Sequence, residues 1–182
     1  MTTEPVTVSS TLRESLRTAH WVLEQTVSGV TDALANQPAE GLAHPLGSLY
    51  AHALLAEDGF VQGWFQGRPP LFAADWAGRT GADRPMPLPG MVEGNLKHWY
   101  DSVVVDMDQC RAYGQAVCAA SDAFLEAASP EVLNRSIDMS FAGMGTLPLA
   151  MVFGIFVLGH VNNLVGEISA VKGFNGLQGY PF

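Results

Sequence analysis

Two histidines and a carboxylate stand out in apolar surroundings. His160 lies inside the run "GHVNNLVGEISAVKG", and Glu167 follows it seven residues later. Seven residues are close to two helical turns, so on a helix His160, Leu164, Glu167 and Val171 share one stripe. Asn163 falls at its edge, and Phe153, Phe156 and Val157 extend it toward the N-terminus. His52 lies in a second apolar run, "HPLGSLYAHALLAED", beside Leu49 and Ala56. Inward imidazoles on facing helices, with a carboxylate at hand, are the raw material of a metal site in a bundle core. Neutral imidazole suits borderline divalent ions, and a buried carboxylate balances their charge. Without an ion, the same groups could hydrogen-bond a small ligand or move a proton. A histidine on an apolar helix face also has a plain structural use as a hydrogen-bonded core residue, and Glu167 could bond a backbone group or Lys172.

The remaining candidates are weaker. His20 sits between Ala19 and Trp21, His44 precedes Pro45 at a helix start, and His98 adjoins Trp99; each reads as structural or solvated. Cys110 and Cys118, the two cysteines, are eight residues apart. On one helix that is roughly 12 Å of rise, beyond disulfide reach. They read as core thiols in a reducing compartment. No glycine-rich phosphate loop follows a strand, and no Ser or Cys sits in a nucleophile elbow.

Four amphipathic stretches must position these groups. Leu12, Leu16, Ala19, Leu23, Val27, Val30 and Leu34 recur at helical steps, with Ser9, Ser10 or Thr11 as N-cap and Thr11–Glu14 fitting a capping box. Leu46, Leu49, Ala53, Ala56, Phe60 and Trp64 trace a second helix that Pro69 and Pro70 end. Residues 69–91, rich in Pro and Gly yet carrying Leu71, Phe72 and Trp76, read as a loop with one short helical turn and as a lid or pocket wall. The third helix is expected from about Glu93 to Ala128, stepping through Trp99, Val103, Met107 and Cys110, with Ser129–Pro130 opening a short turn. Alternation at Ile137, Met139 and Phe141 hints at a short extended strip. The fourth helix should run from near Pro148 to Gly173, with its apolar first half central in the bundle. The aromatic tail "GFNGLQGYPF" should pack against it.

The expected fold is therefore all-α: one four-helix bundle domain over residues 1–182, with long connections between helices two and three and between three and four. With 15% charged and 48% hydrophobic residues, the chain should hide apolar surface in an interface or pocket. A net charge of −9 argues against sequence-independent nucleic-acid binding and against a polybasic membrane contact. The start lacks the pattern of a signal peptide, and the apolar run Leu147 to Val161 falls short of the roughly 20 residues of a bilayer span. A cytoplasmic protein is expected.

Taken in order, "HPLGSLYAHALLAED" and, far downstream, "GHVNNLVGEISAVKG" resemble the DinB-like superfamily of four-helix bundles, which includes damage-inducible proteins and thiol transferases. The closing "GEISAVKGFNGLQGYPF" has the look of one bacterial branch. The resemblance implies that His52 matches the second-helix metal ligand, that His160 matches the first member of a His-x-x-x-His pair, and that Gly166-Glu167 matches the dipeptide after it. The second histidine of that pair falls at position 164, where this chain has Leu164, which coordinates nothing. Three functions follow from the resemblance. One is a divalent-metal (Zn, Ni, Mn or Fe) thiol transferase or isomerase, with His52 and His160 as ligands and Glu167 as ligand or general base. Another, which Leu164 favours, is a small-molecule pocket with a degenerate, metal-free or weakly metal-binding site acting through His52, His160 and Glu167. The last is a non-catalytic homodimer.

Overall fold

A computed structural model of the chain describes residues 5–87 and 96–182. The four Met1–Glu4 residues of the start and Glu93, the expected start of the third helix, lie outside the described residues. Helix α1 (Val8–Thr26) is capped by Thr7, two to four residues before the expected caps Ser9, Ser10 and Thr11. Thr7 Oγ1 accepts from Ser10 N at 3.0 Å and Ser10 Oγ accepts from Thr7 N at 2.9 Å. Two hydroxyls thus do the work expected of Thr11 and Glu14, and Glu14 pairs with Arg17 instead. The helix stops well short of Leu34, because the chain turns at Gly29 (φ 74°). A one-turn helix α2 (Asp32–Ala35) follows, capped by Thr31.

Helix α3 (Leu46–Asp58) is buried on every side: of its 13 residues, all but His52 are buried. It widens into a π-helical segment, Gly59–Phe65. The following connection carries one 3₁₀ turn, Leu71–Ala73, which the Asp58 carboxylate holds by accepting from Leu71 N (3.0 Å) and Phe72 N (2.9 Å).

The expected third helix is broken into α4 (Leu96–Ser102) and α5 (Met107–Ala127). The break falls on Val103-Val104-Val105, a β-branched run whose backbone finds better partners outside a helix. Val105 bridges Ala82, and its N–H and C=O bond the Asn36 side chain at 2.8 Å each. Asp106 then caps α5 through Gln109 N, while Asp32 accepts from Met107 N. The period through Trp99, Val103 and Met107 had matched a helix because both halves bury the same side.

Ser129 caps the short helix α6 (Pro130–Leu133) as expected. The extended strip is the strand β1 (Ser136–Asp138), paired antiparallel with β2 (Thr146–Pro148) so that Ile137 faces Leu147. Phe141 instead sits on an exposed 3₁₀ turn, Ser140–Ala142. The last helix is continuous over Leu149–Phe174, as α7 (Leu149–Phe153), a π-helical segment Gly154–Gly159, and α8 (His160–Phe174). Its 26 residues are long and apolar enough to cross a bilayer by length and composition alone, a test that a core helix also passes.

Helix α1 packs on α5 and α8, and α3 packs on the same two helices, so the bundle is a four-helix square with α1 opposite α3. The all-α expectation holds, with one two-stranded ribbon added. The central helix differs from expectation. It is α3, whereas the first half of the last helix leaves Met151 (52%) and Ile155 (44%) exposed. The tail packs only in part: Phe182 meets Trp21 at 5.7 Å between ring centroids yet is 84% exposed.

Candidate functional site

The core-facing stripe of α8 is Val161, Leu164, Val165, Ile168 and Val171. His160 and Glu167 lie at its edge, about 40° and about 60° round from the Leu164 direction at 100° per residue. His160 is half-buried and Glu167 is exposed, so only the histidine turns toward the core. His52, the one open residue of α3, meets it with ring centroids 4.8 Å apart. The structure thus brings His52 and His160 together and leaves Glu167 at the rim.

Tyr100 of α4 completes the pair. Its ring lies between His52 (5.1 Å, 18° between planes) and His44 (4.0 Å, 12°), and its hydroxyl hydrogen-bonds His52 Nδ1. Burial first, and the Glu167 charge second, push the phenol up, so it keeps its proton. Burial, with His160 and His44 nearby, pulls His52 down to about 3. Between a protonated phenol and a neutral imidazole, the more acidic O–H donates to the ring imine nitrogen. The remaining ring proton is therefore on Nε2. Burial also lowers His160, and the Glu57 carboxylate partly offsets it. Burial thus favours the uncharged form of both imidazoles, and only His160 has a carboxylate, Glu57, acting to favour a proton on it.

Behind this pair lies a buried polar layer that crosses the bundle. His20 of α1 places Nε2 2.8 and 3.1 Å from the two oxygens of Glu57 on α3. Both side chains are nearly closed to solvent, 10% and 1% exposed. Burial lowers His20, but the Glu57 charge and hydrogen bonds to Cys118 and Glu57 more than reverse this and raise it from 6.5 to about 10. His20 is therefore an imidazolium, neither solvated nor idle, with Cys118 beside it. Cys110 is a buried thiol pushed up by burial, as a core cysteine should be. Lys172 does not meet Glu167: its Nζ donates to Thr26 O at 2.6 Å.

The residues do not fit the three-ligand ion that the resemblance implies. Two imidazoles are present, the third position is Leu164 at 4% exposure, and Glu167 lies outside. Among the described residues no group of three or more His, Cys, Asp and Glu is placed to hold one ion.

From the pair outward runs an aromatic wall. Phe60 meets His160 edge-on at 6.5 Å and Phe156 at 5.8 Å; Trp64 and Phe141 carry the chain to the surface. Phe60, Trp64 and Phe156 sit on the two π-helical segments, whose extra residue per turn displaces them from the regular wheel. Sequence reasoning missed Tyr100, Glu57 and His20. The available signals were the adjacent carboxylates Glu57-Asp58 inside an apolar run, and the placing of His20 between Leu16 and Leu23 on the core stripe of α1.

Comparison with known proteins agrees with this architecture. A crystal structure of a conserved protein from Enterococcus faecalis superposes with a TM-score of 0.71, covering 93% of this chain and 99% of that one at 22% identity, which is a likeness of fold. No curated protein matches the chain. The sequence profile of the DinB superfamily matches residues 15–162, which take in both histidines of the pair and the α3 helix that carries the buried carboxylate. The square of four helices agrees with that match over most of the length: the chain belongs to the DinB superfamily.

Proposed function

We propose that the chain is a small-molecule-binding protein or enzyme whose histidine pair works by hydrogen bonding and proton transfer rather than through a three-ligand ion. The observation that carries this reading is Leu164, an aliphatic side chain buried at the position of the third ligand. Metal sites that catalyse use three protein ligands and an open position. In the proposed site Tyr100 orients His52, which presents Nε2–H to the ligand. His160, with the Glu57 charge behind it, accepts a proton. The aromatic wall takes the apolar part of the ligand, and Glu167 sets a negative rim.

The competing reading is a metal-dependent thiol transferase or isomerase with His52, His160 and Glu167 as ligands. Zinc and nickel uptake, measured in competition with a chelator, separates the two. Wild type should lose the ion to the chelator, and Leu164→His should hold it tightly. Tight uptake by wild type that His52→Ala abolishes would sink the metal-free reading. A homodimer is supported by the exposed apolar side chains of Met151, Ile155 and Phe141, which an interface would cover. Sedimentation equilibrium tests it, with dissociation expected for Ile155→Glu.

A further inference from the structure

On the far side of the π-helical segment from Trp64, a groove of about 330 Å³ runs between that segment and the C-terminal half of α5. Its size is at the lower end of small-molecule sites, about 300–1,000 Å³. Its floor is apolar: Ala120, Ala123 and Ala127 lie at i, i+3 and i+7 on α5, with Phe124 beside them. One end is polar, formed by Gln62, Gln66 and Arg68.

Arg68 is unlike the other cations of this chain. The sequence has nine Lys and Arg, all of them among the described residues. Arg13, Arg17, Arg84 and Lys97 pair with carboxylates. Arg79, Arg111, Arg135 and Lys172 donate to backbone carbonyls. Among the described residues, the Arg68 guanidinium has no hydrogen-bond or ion-pair partner, and its only bond is a backbone one to Gln62 O. The groove has no carboxylate in its lining, although the chain has 18 acidic residues. The nearby Asp122 and Glu126 of α5 are turned to Arg13 and Arg17 on α1. In a chain of net charge −9, an uncommitted guanidinium at the end of an apolar trough is a specific complement.

We propose that this groove is a second ligand site, separate from the histidine pair, and that it binds a free amphipathic anion. The ligand has one apolar chain or ring lying on Ala120, Ala123, Ala127 and Phe124, and one carboxylate taken by the Arg68 guanidinium, since Gln66 Nε2 already donates to Val61 O at 3.1 Å and to Gln62 Oε1 at 3.2 Å. It is independent of the reading given to His52 and His160.

The test is titration calorimetry of the full-length protein with decanoate, decanol and decyltrimethylammonium, each below its micelle concentration. Decanoate should bind tighter than decanol, and the cation weakest. Arg68→Gln, an exposed substitution checked by circular dichroism, should weaken decanoate by about tenfold or more and leave decanol unchanged, the loss of one charge-assisted contact. Ala123→Leu, which fills the trough, should weaken both. The proposal is overturned if wild type does not bind decanoate, if Arg68→Gln binds it as wild type does, or if the cation binds as tightly. It is also overturned if the protein binds only vesicles containing phosphatidylglycerol and not monomeric decanoate, because the occupant would then be a lipid surface.

Discussion

The buried pair His20–Glu57 makes a prediction whose size follows from the structure. His20 titrates at about 10 in the folded chain and near 6.5 when unfolded. A group whose pKa rises on folding stabilises fully below the unfolded value, and that contribution is lost as pH rises through the folded value. Between those limits the native state holds one proton more than the unfolded chain, so stability falls by about 1.4 kcal/mol per pH unit. From about pH 7 to about pH 8.5 the loss is about 2 kcal/mol. Glu57→Gln removes the carboxylate that holds the proton, so His20 becomes neutral in both states and this slope vanishes. The substitution should also cost about 3 kcal/mol at pH 7, since it strips one partner from a buried pair. Urea unfolding of both proteins at the two pH values measures the difference. Cys110 and Cys118, raised by burial, also lose stability as pH rises, but they are present in both proteins and largely cancel. Parallel pH dependence in wild type and Glu57→Gln would refute the reasoning, as would a His20 ring that titrates near 6.5 by NMR.

Three further outcomes are expected. The His52 ring, held down by burial and by His160 and His44, should show no protonation step by NMR between about pH 5 and pH 8, whereas an exposed histidine titrates in that window. Tyr100→Phe should cost about 1 kcal/mol in thermal unfolding by removing the hydrogen bond to His52 Nδ1, and should move the apparent pKa of His160 little, because burial first and the Glu57 charge second act on it. Gly81→Ala should destabilise by about 2 kcal/mol or more, because φ is +84° there and an added Cβ would stand 2.4 Å from Cys110 N; a silent substitution would mean that the turn before Asp106 is not held as described.

The helical period made the bundle legible because each long helix buries one stripe, and that stripe is written in apolar residues three and four apart. Where backbone groups found side-chain partners, the period misled. Val103 to Met107 continue the helical spacing, but Asn36 takes the N–H and C=O of Val105 and Asp32 accepts from Met107 N, both from far upstream in the chain, and no local pattern announces such a contact. The cap of α1 fell on Thr7 rather than on Ser9, Ser10 or Thr11 because Thr7 and Ser10 serve each other: each hydroxyl accepts from the other residue's N–H. Of the candidate site, His52 and His160 were legible as polar residues on apolar faces. Glu167 was misplaced because a seven-residue spacing fixes which residues share a stripe but not which stripe faces inward. The face that turns inward carries Val161, Leu164, Val165 and Ile168, and it leaves Glu167 beyond its edge.

A helix buried on every side must satisfy from within whatever charge it carries. Helix α3 has two carboxylates side by side and answers each differently. Asp58 accepts from two backbone N–H groups and from Tyr113 Oη at 2.7 Å, though burial still raises its pKa. Glu57 takes an imidazolium from the opposite helix. The negative charge that might have balanced an ion at His52 and His160 is thus already matched by His20. An arriving cation would meet two neutral imidazoles and the exposed Glu167, with Leu164 closing the inner side. The polar layer and the aliphatic substitution push in the same direction: both disfavour a cation between His52 and His160. Restoring ion binding should therefore need Leu164→His for the ligand, and should improve further when His20→Gln frees the Glu57 charge. A Leu164→His, His20→Gln protein that binds zinc no better than Leu164→His alone would show that Glu57 has no say in the charge of the site.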